Sequence, residues 1–251
     1  LVLDGCTLEM DSTKLYSNHT AGQQPWIIIK NGGALKFTST MGEPSFLRGT
    51  NANYGVLMDI QSGGTLSVDA GASGSAFLRD GHVTTRSGQS GAWHVGSGGT
   101  MSLSNGALVY GSSTTSASTA TISVNGGTLL VNDASVFNVG QTGTGIHLEN
   151  TGTSSLANVN VRGADTGVVI KDAAPSIDGF TLTDNTVGFE INGGMTLPTV
   201  FRSTLLSGAS RGWTTYEMDI SNLAAQYDYI QYGFNTVYNG GNAHPLYNYA
   251  T

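Results

Sequence analysis

Gly145-Ile146-His147-Leu148, Gly167-Val168-Val169-Ile170 and Gly188-Phe189-Glu190-Ile191 repeat one short pattern at a nearly constant interval. Between them, Val159-Asn160-Val161 and Phe180-Thr181-Leu182 form a second series with the same step as Gly167 to Gly188. Two independent series with a common period mark a stacked structural repeat. Apolar and polar residues alternate within each run, which is the period of a strand with one buried face. Val, Ile, Thr and Phe dominate the runs, and Gly, Asn, Asp and Ser interrupt them. No apolar spacing of three and four is sustained, so helix content should be very small.

Toward the N-terminus the same logic continues with longer, less even intervals. The starts are Gly32-Gly33-Ala34-Leu35, Gly63-Gly64-Thr65-Leu66, Gly98-Gly99-Thr100-Met101 and Gly126-Gly127-Thr128-Leu129. Gly193-Gly194-Met195-Thr196-Leu197 is a weaker echo. A strand-like run precedes each of the four pairs (26–30, 56–60, 93–95 and 121–124), and another follows it. Constant runs joined by variable loops describe a coil with three sides whose corners alone change length. The Asn-Gly pairs at 31–32, 105–106, 125–126 and 192–193 suit corners that need positive φ. Stacked about 4.8 Å apart, equivalent strands would pair above and below and share a core. The expected inward columns are Ile146, Val168, Phe189; Leu148, Ile170, Ile191; Leu35, Leu66, Met101, Leu129; and Phe37, Val68, Leu103, Val131. Each buried side chain contributes roughly 1.5–3 kcal/mol.

The phrases Gln61-Ser62-Gly63-Gly64-Thr65-Leu66-Ser67-Val68 and Val124-Asn125-Gly126-Gly127-Thr128-Leu129 are similar to rungs of autotransporter passenger domains. The 145–194 segment resembles the shorter rungs of archaeal and bacterial surface β-helix proteins. Through both, the chain resembles the pectate-lyase-like superfamily over about residues 1–200. The resemblance implies an all-β, right-handed, single-stranded parallel β-helix solenoid. Its rungs are longer to about residue 144 and shorter over about 145–194. An irregular, aromatic-rich segment at 201–251 would cap it or mediate assembly. Such a scaffold carries lyases, hydrolases, adhesins and inert stalks, so the fold does not choose among them.

Composition removes several function classes. Only 11% of the 251 residues are Asp, Glu, Lys or Arg, against about 25% in an average domain. The net charge is −7 and the ten Lys and Arg are scattered, so the basic stripe of a nucleic-acid binder is missing. No apolar run approaches the roughly 20 residues of a membrane-spanning helix. Cys6 is the single cysteine, which excludes an intrachain disulfide and a thiolate metal cluster. The opening Leu1-Val2-Leu3-Asp4-Gly5 lacks the pattern of a signal peptide and reads as strand. Its open edge invites either further rungs of a longer solenoid or another subunit. Asn18-His19-Thr20 is a glycosylation sequon.

Neither catalytic nor metal-binding residues, and no cofactor, are assigned. The outward positions His147, Val169, Glu190 and Lys36, Ser67, Ser102, Leu130 hold no pair of carboxylates of the kind that glycoside hydrolysis requires. Asp165, Asp172, Asp178 and Asp184 fall at loops and corners, and His82, His94 and His147 lack ligand spacing. An apolar stripe is more informative. If Leu47, Leu78, Val109 and Phe137 point inward, then Phe46, Phe77, Leu108 and Val136 point outward, beside Arg48, Arg79 and Tyr110, as an interface stripe. A corner bulge would instead reverse the facing and bury the Phe residues. Seven of the ten Tyr lie in 216–251. Trp213, Tyr216, Tyr227, Tyr229, Tyr232 and Phe234 could cap, assemble or stack on sugars.

The expectation is a non-enzymatic extracellular or cell-surface structural protein. Its partners would be copies of itself, head-to-tail or lateral, or surface glycans, with no nucleic acid and no membrane span. The alternative is a carbohydrate-active β-helix enzyme or a carbohydrate-binding module.

Overall fold

A computed structural model describes residues 1–17, 26–41, 43, 45–49, 57–71, 76–81, 91–111, 120–137, 143–151, 153–192, 201–202, 205–207, 211–215 and 236–237. Among these the chain is all-β, with 23 strands and no helix. All recorded strand pairings are parallel, and the strands lie in one nine-stranded and one fourteen-stranded sheet.

The nine-stranded sheet is the first ladder. It contains β1 (Val2–Asp4), β4 (Trp26–Lys30), β7 (Leu57–Ile60), β10 (Gly91–Val95), β12 (Ala120–Asn125), β14 (Thr144–Glu149), β16 (Thr166–Lys171), β19 (Val187–Asn192) and β22 (Arg211–Thr215). The larger sheet comprises two more ladders that meet at a bend. One runs through β2 (Thr7–Asp11), β5 (Ala34–Thr38), β8 (Thr65–Asp69) and the first halves of β11 (Thr100–Gly111), β13 (Thr128–Phe137) and β15 (Ser155–Arg162), then β17 (Ser176–Asp178) and β20 (Phe201–Arg202). The other takes β3 (Lys14–Ser17), β6 (Ser45–Gly49), β9 (Ala76–Gly81) and the second halves of β11, β13 and β15. It ends with β18 (Thr181–Thr183), β21 (Leu205–Ser207) and β23 (Thr236–Val237). Proceeding along the chain, strands visit the three ladders in turn and come back to the first one strand further along.

Register follows the expected columns. Leu35, Leu66, Met101 and Leu129 are successive partners, as are Phe37, Val68, Leu103 and Val131. Ile146 pairs with Val168, which pairs with Phe189; Leu148 pairs with Ile170, which pairs with Ile191. Trp93, Ile122, Val95 and Val124 extend the first-ladder columns upward, and all of them are fully buried in one continuous core. Beyond residue 200, β22 still pairs with β19, placing Trp213 opposite Phe189.

The Gly-Gly pairs have two separate causes. Gly32, Gly63, Gly98 and Gly126 sit at φ between 70° and 81°, where side chains are strained. The second glycine is required by close approach. A Cβ on Gly33 would lie 2.2 Å from the Leu3 carbonyl oxygen, and one on Gly64 would lie 2.1 Å from that of Ile29. Asn31, Asn105, Asp133, Asn150, Asn158, Asp172 and Asp184 also adopt positive φ, and they are residue types that tolerate this region.

Polar side chains join one rung to the next. Lys36 Nζ is 2.7 Å from Glu9 Oε1, Asn31 Nδ2 donates to Asp4 Oδ1 at 3.0 Å, and Asn105 Nδ2 donates to Asp69 Oδ1 at 2.8 Å. Arg162 bonds Asp184 through Nε and Nη2, both at 2.9 Å. Buried Asn185 accepts from the Ala164 N–H at 2.9 Å and donates to the Val161 carbonyl at 3.0 Å.

One facing is corrected by the structure. Val136 is fully buried and pairs with Val109, while Phe137, expected inward, pairs with Tyr110. The register shifts after Ser104: Asn105-Gly106 turns the corner in β11, and Asp133 alone turns it in β13. Counting from the glycine pairs therefore misplaces this strand by one residue, which flips its faces.

Candidate functional site

Two surfaces stand out, one polar and one aromatic. The polar one is the outward column of the first ladder. Asp59 lies between core residues Met58 and Ile60, His94 between Trp93 and Val95, Ser123 between Ile122 and Val124, and His147 between Ile146 and Leu148. Alternation therefore turns Asp59, His94, Ser123 and His147 away from the core. Successive pairing places them on consecutive rungs, followed by Val169 and Glu190. The rungs are about 4.8 Å apart.

An outward column is normally wet, and this one is largely buried. Asp59 is 8% exposed, His94 7% and Ser123 2%, whereas His147 and Glu149 are half-buried. Asp59 Oδ2 accepts a hydrogen bond from Gln61 Nε2 at 2.7 Å. Glu149 Oε1 receives Lys171 Nζ at 2.8 Å, and its Oε2 lies 3.9 Å from His147 Nε2, too far for a hydrogen bond.

Two ring nitrogens consequently stay bare: His94 Nδ1 and His147 Nε2 are both buried without a hydrogen-bond partner. Desolvation pushes the pKa of His94 down, against the pull of Asp59. It does the same to His147, opposed mainly by Glu149. Both rings are therefore neutral at neutral pH. Beside the column, Gly96 carries no side chain. A Cβ there would lie 3.5 Å from the Ile60 carbonyl oxygen and 3.6 Å from His94 Nε2, ordinary contact distances, so the half-exposed glycine packs beside the Nε2 edge of the ring. The column is rich in hydrogen-bond acceptors. Among the described residues, no group of three His, Cys, Asp or Glu side chains is placed to hold a metal ion.

The sequence reading recognised only the lower part of this column. His147, Val169 and Glu190 share the short period, whereas the steps from Asp59 to His94, Ser123 and His147 shrink along the chain. The missing signal was the position of each residue relative to its core neighbours, not its spacing.

The aromatic surface follows the outward side of the third ladder. Phe46 is outside the core cluster yet only 6% exposed. Its ring meets Tyr16 edge-on at 5.4 Å, and Lys14 Nζ lies 5.7 Å from its centroid. Phe77 is in register with Phe46 and with Leu108, which is half-buried. Tyr110 and Phe137 stack at 5.0 Å with an interplanar angle of 17°. Tyr16 is 53% exposed. Arg48 and Arg79 pair in the backbone ladder; their side chains and that of Phe77 lie outside the described structure.

At the first rung Leu1 and Val2 are exposed while Leu3 enters the core. Strands β1, β2 and β3 each have one described neighbour. Asn18, Tyr216, Tyr227, Tyr229, Tyr232 and Phe234 lie outside the described residues. No helix among the described residues is long and apolar enough to cross a membrane.

Compared with protein families, curated proteins and solved structures, this chain matches none.

Proposed function

We propose that the three ladders close into a right-handed parallel β-helix, and that the chain is an extracellular or cell-surface structural protein that assembles with copies of itself. The winding reading is supported by the order of the strands. A chain that leaves a parallel sheet and re-enters it beside its starting strand does so right-handedly in nearly all cases.

The observation that carries the assembly reading is the aromatic stripe. The exposed Tyr16 ring packs edge-on against Phe46, and the half-buried Tyr110 and Phe137 rings stack further along the same ladder; aromatic groups at a surface of this type favour contact sites. Aromatic side chains are enriched in interfaces because they bury a large area at small entropic cost. The low charge of the chain leaves little long-range repulsion between copies. Most of the ionic groups described above bond to a neighbouring rung, which fits a scaffold. Among the described residues β1, β2 and β3 have one neighbour each, and such an edge offers backbone groups to a further rung, from the same polypeptide or from another copy.

The test is sedimentation velocity and negative-stain microscopy across a concentration series. The wild-type chain is expected to form higher oligomers or filaments. The triple variant Tyr16→Asp, Tyr110→Asp, Phe137→Asp is expected to remain monomeric with unchanged circular dichroism. A wild-type chain that stays monomeric at every concentration contradicts the assembly reading.

A further inference from the structure

We propose that Asn105–Gly106, where the chain turns from the second ladder into the third, is a self-modification site: Asn105 deamidates through a succinimide, with water as the only co-reactant. The inference goes beyond the assembly reading, because it concerns one corner of a single chain and stands whether or not copies associate.

Asn31–Gly32, Asn105–Gly106 and Asn125–Gly126 are the Asn-Gly pairs with both residues described, and all three asparagines are exposed. The dipeptide is the same in each, so differences in reactivity come from the fold around it.

Ring closure brings the glycine nitrogen to the asparagine carboxamide, which requires the intervening peptide plane to rotate. At two of the corners that plane is tied to the next rung. The Gly32 N–H donates to the Gly63 carbonyl at 3.0 Å, and the Gly126 N–H donates to that of Glu149 at 3.0 Å. The Asn31 turn is closed further by the Gly33 N–H, which donates to the Lys30 carbonyl at 2.8 Å. Gly126 is also crowded, since a Cβ on it would lie 3.2 Å from Ser97 Cβ. Asn105–Gly106 falls instead in a gap of the ladders. Pairing with β8 ends at Ser104, pairing with β9 begins at Leu108, and pairing with β13 skips from Ser104 to Ala107. Gly106 is at φ 83°, and a Cβ built on it would meet nothing within 4 Å. This corner therefore combines an untied position in the ladder with room for the ring.

The reaction balances with water alone. The Gly106 nitrogen bonds to Asn105 Cγ, its proton passes through water to Nδ2, the Cγ–Nδ2 bond breaks, and ammonia leaves. Water then opens the succinimide at one of its two carbonyl carbons, which leaves aspartate or its β-linked isomer at position 105. Nothing is oxidised or reduced.

The product undoes a joint between rungs. Asn105 Nδ2 donates to Asp69 Oδ1 at 2.8 Å, and that bond is the main reason the Asp69 carboxyl is held below its usual range. With a carboxylate at position 105 the donor is gone, and two like charges face each other across the corner. The modification is a one-way step from a bonded corner to a repelling one.

The test incubates the full chain at neutral pH, folded and in guanidinium. Peptide mass mapping follows each asparagine, with fragmentation that separates aspartate from its β-linked isomer. In the folded chain Asn105 should convert about tenfold faster than Asn31 or Asn125, a factor set by the one inter-rung hydrogen bond broken at each protected corner. In guanidinium the three rates should come together. Asn105 no faster than the other two in the folded chain, or the same ranking in the unfolded one, overturns the proposal. Asn105→Asp tests the consequence apart from the rate, because Asp tolerates the same positive φ. Its denaturation midpoint should fall below that of wild type at pH 7, and the gap should narrow at pH 4 as one carboxylate takes up a proton. An unchanged midpoint at pH 7 overturns the repelling corner.

Discussion

A glycine pair at the start of a rung answers two demands that no single residue type meets otherwise. The first position needs positive φ, and the second needs a bare Cα because the carbonyl of the preceding rung presses against it. That pairing was readable directly, since both causes act locally on the chain. His94 and His147 carry the opposite lesson: their type was visible and their surroundings were not. Burial lowers both pKa values from the ordinary 6.5, so the unfolded chain binds protons more readily than the folded one. Stability should be complete above pH 6.5 and should fall as pH drops below that value, because protonation then favours unfolding. Urea denaturation from pH 7.5 to 5.0 should show this decline. His94→Gln with His147→Gln should flatten the pH dependence over that range. The exposed, hydrogen-bonded carboxyls of Asp4 and Asp11, held below the usual 3.8, act only at more acidic pH. An equally steep decline in the double variant would remove the histidines as its cause.

The elements were mostly legible because period-two alternation and repeated glycine corners survive variation in loop length. The short-rung series at 145–194 places its partners as read, Asn160 with Thr181 and Val161 with Leu182. What failed was counting across a corner that changed length. Asp133 replaces the two-residue Asn105-Gly106 turn, so Val136 lies inside and Phe137 outside. Rung length also hid the Asp59–His94–Ser123 column, whose members have no shared interval.

Adjacent elements are held unequally. Exposed pairs such as Lys36–Glu9 are worth about 0–1 kcal/mol. Asn185 is different: it is buried and satisfies an N–H and a C=O of the preceding rung. Asn185→Ala should therefore destabilise by about 1–3 kcal/mol in chemical denaturation. Glu9→Ala should be nearly neutral in the same assay. Equal effects for the two would mean that buried corner bonds do not organise the stacking.

Among the described residues, each strand pairs with the equivalent strands before and after it in its ladder, so the core is built from continuous columns of side chains. Outward faces then become long strips of regularly spaced side chains. On this chain one strip is aromatic and another is polar and partly buried. The strips exist only if the strands are parallel and in register, and a disulfide tests that in solution. In a Cys6→Ser background, Ser67→Cys with Ser102→Cys joins direct partners on β8 and β11. Their Cα atoms are about 4.8 Å apart, within the range of about 4.4–6.8 Å that a disulfide spans. Ser67→Cys with Ser104→Cys is displaced by two residues along the strand. Under mild oxidation, the first pair should close rapidly in the monomer and the second should not. If the displaced pair closes as readily, or neither does, the stacked parallel arrangement is wrong.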